Sequence, residues 1–128
     1  MALILAKRFF AQMKLIPLAV STATLIAGIS TPAFARPYLY MATFSHSGSV
    51  SVCLTNAGKA LKRSGFTNDF DRDMTGEKSG HVQAKIPSTA VVASIECDQS
   101  LGVTALAVSG LDNDLSYDKF KELFDASW

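Results

Sequence analysis

The residues of this 128-residue chain with chemical potential are few: two cysteines, Cys53 and Cys97, two histidines, His46 and His81, and three aspartates at alternate positions, Asp69, Asp71 and Asp73. Each group is judged by whether its spacing builds a site. The aspartates open like a calcium-binding EF-hand loop, in which oxygen ligands at alternate positions converge on the ion. The match then breaks: position six should be glycine for the sharp turn and is Met74, and the bidentate acid of position twelve is replaced by Gly80. Glu77 at position nine does not restore the site, so the aspartates are weak metal candidates and read better as a solvated acidic loop.

Neither histidine has a ligand partner at helical or hairpin spacing, which favours surface or hydrogen-bonding roles over ligation or catalysis. The Gly-x-Ser-x-Gly elbow of a serine hydrolase is absent. Gly76 and Gly80 bracket Lys78 without the spacing of a phosphate loop. No catalytic constellation and no cofactor are indicated. Tyr38, Tyr40, Phe44 and Trp128 would make an aromatic binding surface, although in a small domain such residues more often fill the core.

The cysteines depend on compartment, and the start of the chain addresses it. Lys7, Arg8 and Lys14 precede an uncharged stretch from Leu15 to Ile29, and Ala33, Phe34 and Ala35 form the small, any, small pattern of a signal peptidase site. The stretch is too short and too rich in Ala, Ser and Thr to span a bilayer, which takes about 20 apolar residues. Residues 1–35 therefore read as a cleaved export signal, with Met13 as an alternative start, and residues 36–128 as one small domain in the periplasm or medium, without a membrane segment after cleavage. No cysteine at the cleavage point marks a lipoprotein.

Cleavage removes three basic residues and no acidic one, leaving nine Lys and Arg against eleven Asp and Glu, a net charge of −2. That disfavours nucleic acid as a partner, since such domains carry a basic face. In an oxidising compartment the two cysteines are expected to pair within the chain, with two free thiols or a bond between chains as the alternatives.

The elements that must position these residues follow from periodicity. Tyr38 to Phe44 suits a strand with both faces partly covered. Val50, Cys53, Leu54, Ala57, Ala60 and Leu61 recur at intervals of three and four, the stripe of an amphipathic helix. Lys59, Lys62 and Arg63 lie at its negative end, Gly65 follows as a left-handed cap, and Phe66 folds back on Leu61. Residues 67–80 read as a loop. Val82, Ala84 and Ile86 alternate with polar residues as a half-buried strand, and Thr89–Cys97 and Val103–Ser109 complete a three-stranded meander. A last helix is expected with Ser116 as its cap, Asp118 in the first turn, Leu115 stapled onto Phe120, and a stripe of Tyr117, Phe120 and Phe124.

The expectation is an α+β domain of order β-α-β-β-β-α, a four-stranded antiparallel sheet with two helices on one face, a variant of the ferredoxin-like arrangement. Such a sheet is too small to close a membrane barrel, whose minimum is about eight strands. The functional reading is a non-catalytic, disulfide-stapled interaction module of the cell envelope, binding a protein or small ligand through the sheet face or the acidic loop. Its rivals are a small metal-dependent protein or enzyme using His46, His81 or the aspartates, and a structural envelope component.

Overall fold

The computed structural model describes residues 35–128. The proposed leader, with Met13 and Ala33, lies outside the described residues, except for Ala35 at its end. The described chain runs β1 (Tyr38–Ser45), α1 (Val50–Arg63), β2 (Asn68–Met74), β3 (Ser79–Lys85), β4 (Val92–Asp98), β5 (Val103–Gly110) and α2 (Asn113–Phe124). The sheet is antiparallel and its spatial order is β1-β5-β4-β3-β2.

The α+β class, the antiparallel sheet and the two helices agree with the periodicity. The strand count and order do not: among the described residues the sheet has five strands, and the sequence order is β-α-β-β-β-β-α. The additional strand is β2, within the segment expected to be a loop. All seven of its residues are exposed, so it shows none of the alternation by which a half-buried strand is recognised. It is held by pairing with β3 across a short turn, in which Thr75 and Gly76 donate to the Ser79 carbonyl at 3.0 and 3.2 Å. With β1 at one edge and β2 at the other, joined through α1, the layout is a four-stranded meander whose last strand takes in β1, and not the ferredoxin-like order.

Helix α1 forms for the reasons its stripe implies. Ser49 caps its start, accepting from the Val52 amide at 3.3 Å, and Val50, Cys53, Leu54, Ala57, Ala60 and Leu61 are buried. Its end is a complete Schellman motif: Phe66 N–H donates to the Leu61 carbonyl, Gly65 N–H donates to that of Lys62, and Gly65 has φ of 87°. Phe66 is fully buried.

Helix α2 begins four residues before the expected start, its cap falling at Asp112 and not at Ser116. The Asp112 carboxylate accepts from the Leu115 amide at 3.0 Å, and Asp114 is the acid of the first turn. Ser116 lies inside the helix, fully buried, its hydroxyl donating to the Asp112 carbonyl. The local pattern misleads because serine serves equally as a cap and as a buried residue that bonds back one turn. Only its surroundings decide.

Both helices lie on one face of the sheet. Thr104 of β5 meets Cys53 of α1, and its register partner Phe44 packs against Phe124 of α2 with ring centroids 5.2 Å apart. The core between helices and sheet contains Leu54, Leu61, Phe66, Val82, Ile95, Leu106, Val108 and Leu123. Strand β1 differs from expectation here as well. Tyr40 and Phe44 face α2, but Leu39 and Met41 on the other face are 60% and 65% exposed.

Candidate binding surface

The disulfide sits at the centre of this arrangement. Cys53 on α1 and Cys97 on β4 are bonded, with Cα atoms 6.2 Å apart, and both are buried. Cys53 occupies the inner stripe of its helix, and Cys97 shares the buried parity of Ala93 and Ile95. Because β4 is the middle strand, the bridge fastens α1 to the centre of the sheet. Its role is structural.

Among the described residues, no helix lies over the opposite face of the sheet. Register assigns its rows: Leu39, Ser109, Val92 and Lys85; then Met41, Ala107, Ser94, Gln83 and Asp71; then Thr43, Ala105, Glu96, His81 and Asp73. Residues along each row share this face because opposed residues of an antiparallel ladder project to the same side. The surface is graded. The β1 and β5 end presents Leu39, Met41 and alanines, and the β2 to β4 end presents Asp71, Asp73 and Glu96 around His81. The sheet face and the acidic segment, two separate possibilities at the level of sequence, form one continuous surface.

The aspartates do not converge. Asp71 and Asp73 stand on the open face, whereas Asp69 sits at an irregularity of β2 with φ of 49°. His81 Nε2 is 3.6 Å from Asp71 Oδ2, an ion pair when the imidazole is protonated, and the Asp71 side chain is 58% exposed. Among the described residues no three His, Cys, Asp or Glu side chains are grouped to hold a metal ion.

The histidines are on opposite sides of the sheet. His46 follows β1 and lines a cleft of about 150 Å³ with Phe44, Ser45, Thr104, Phe124, Ala126 and Trp128, on the helical side. Its Nε2 is buried without a hydrogen-bond partner and packs against Gly48, where a Cβ would lie 2.9 Å away. The Thr104 hydroxyl in the cleft is 3.3 Å from Cys53 Sγ. The two histidines therefore cannot act on one substrate.

The aromatics divide similarly. Tyr40 contacts Tyr117 and Phe120, and Phe44 contacts Phe124 and, edge-on, Trp128, whose indole N–H donates to the Leu123 carbonyl at 2.9 Å. Those rings dock α2 onto the sheet, while Tyr38 remains half exposed. Sequence reasoning missed Leu39, Met41 and Glu96 as surface residues. Every residue from Tyr38 to Met41 is apolar or aromatic, so no alternation separates the two faces.

No helix among the described residues is long and apolar enough to cross a membrane. The chain matches no protein-family model, no curated protein and no solved structure.

Proposed function

We propose that this protein is a non-catalytic interaction module of the cell envelope, exported by its leader and docking another protein on the open face of its sheet. One observation carries the reading: among the described residues both helices seal one face, while the other is bare, apolar at the β1 and β5 end and mainly acidic at the β2 to β4 end. Apolar area next to a mainly acidic patch, with Lys85 at its border, is the composition of a docking surface with a polar rim. The partner complementary to it presents basic side chains beside an apolar segment. Export is supported by the buried disulfide, which persists in an oxidising compartment.

Comparison of face variants tests the reading. Immobilised wild-type protein and a variant changed on the outer side of α1, Val52→Asp, are expected to retain the same partner from an envelope extract. Asp71→Lys and Glu96→Lys should each weaken that retention at least about tenfold by placing like charges against the partner. Undiminished retention by both lysine variants overturns the reading, as does turnover of a defined substrate that a point change abolishes.

A further inference from the structure

We infer that the outer edge of β1, unpaired among the described residues, pairs with β1 of a second copy of this chain, joining two domains through one continuous antiparallel sheet. This concerns the edge of the sheet; it shares Leu39 and Met41 with the open face described above, and it is tested by oligomeric state and amide exchange rather than by retention of a partner.

The two edges are built differently. Strand β2 carries Asp69, Asp71, Arg72 and Asp73 and an irregular register, devices that keep an edge from pairing. Strand β1 has none of them. It contains no charge and no proline, and its eight residues match β5 without a break from Tyr38↔Gly110 to Ser45↔Val103. Apart from His46, no charge-bearing side chain occurs from Pro37 to Gly58.

The direction of its backbone groups follows from one bond. His46 N–H donates to the Gly102 carbonyl at 2.8 Å, in the same register as the β1 and β5 ladder. Alternation then directs the N–H and C=O of Tyr40, Ala42 and Phe44 toward β5 and those of Leu39, Met41 and Thr43 outward. An unpaired row of this kind is a template for another strand.

Self-pairing fits this edge. A two-fold axis at Met41 sets Met41 opposite its own copy and Leu39 opposite Thr43, so that each outward N–H meets an outward C=O. No like charges meet, because the edge has none. The exposed apolar residues extend the contact: Tyr38, Leu39 and Met41 on the strand, and Tyr117 and Phe124 of α2 beside Tyr40 and Phe44. An uncharged, self-complementary row offers a heterologous peptide no feature to distinguish it, which favours the second copy as occupant.

Sedimentation analysis and amide exchange of the processed protein test the inference. The wild type should sediment at twice the chain mass at about 0.1 mM, and its Leu39, Met41 and Thr43 amides should gain protection as concentration rises. Met41→Lys places two ammonium groups face to face, and Thr43→Pro removes an outward donor without touching the β5 ladder. Each should raise the dissociation constant at least about tenfold while leaving the circular dichroism unchanged. Should a variant fail to fold, exchange in the wild type decides the matter. A single-chain mass at about 0.1 mM, concentration-independent rapid exchange at those three amides, or dimers indifferent to both substitutions overturns the inference.

Discussion

Cys53 and Cys97, 44 residues apart in sequence, tie the first helix to the middle strand of the sheet, and the Thr104 hydroxyl lies 3.3 Å from the Cys53 sulfur. A loop of that length constrains the unfolded chain by about 4 kcal/mol in the loop-entropy model. Reduction, or the paired change of both cysteines to alanine, should lower stability by about that amount. Calorimetry with and without reductant measures the loss, expected on the order of 20 °C in Tm. Non-reduced peptide mapping should find the two cysteines linked and the protein two hydrogens lighter than its reduced form.

Two glycines respond to substitution for different reasons. Gly65 holds φ of 87° at the end of α1 with open space around it, so Gly65→Ala should cost about 1 kcal/mol through backbone strain alone, and Gly65→Asn less. Gly80 lies under α1, where a Cβ would stand 2.7 Å from Leu54 Cδ1 and 2.8 Å from the Asp73 carbonyl oxygen. Gly80→Ala should cost about 3 kcal/mol, since the carbonyl belongs to the neighbouring strand and cannot yield. Urea unfolding separates the two values.

The start of α2 offers a direct comparison with the sequence pattern. Asp112→Ala removes the acceptor of the Leu115 amide and should cost about 1 kcal/mol. Asp118→Ala, in the turn after the expected cap, should change stability by less than about 0.5 kcal/mol. The reverse order would place the cap at Ser116.

Glu122 sets a small acid dependence. Its carboxyl is held below its ordinary value of 4.5 chiefly by the hydrogen bond from the Lys119 ammonium, 2.7 Å away; partial burial opposes this, and the Ser64 hydroxyl adds a lesser lowering. A lowered value in the folded state contributes stability above pH 4.5, and that contribution is lost as pH falls through the folded value. The pair is solvent-screened, so the effect should stay below about 1 kcal/mol. The stability difference between wild type and Glu122→Gln should be present at neutral pH and vanish under strong acid.

Sequence by itself determined the features that depend on residues a few positions apart. The stripe of α1, its Gly65 and Phe66 terminus, the alternation of β3 and β4 and the inward parity of Cys97 are all local, because a helix or a half-buried strand repeats its environment every few residues. Tertiary structure alone decided the rest. Strand β2 exists through pairing with β3 and carries no alternation of burial, Ser116 was separated from Asp112 as cap by its burial, and the two faces of β1 were distinguished only when α2 covered one of them. The bare sheet face and the open edge belong to this second class. Which surface remains uncovered depends on where distant elements pack, and no short window of residues encodes it.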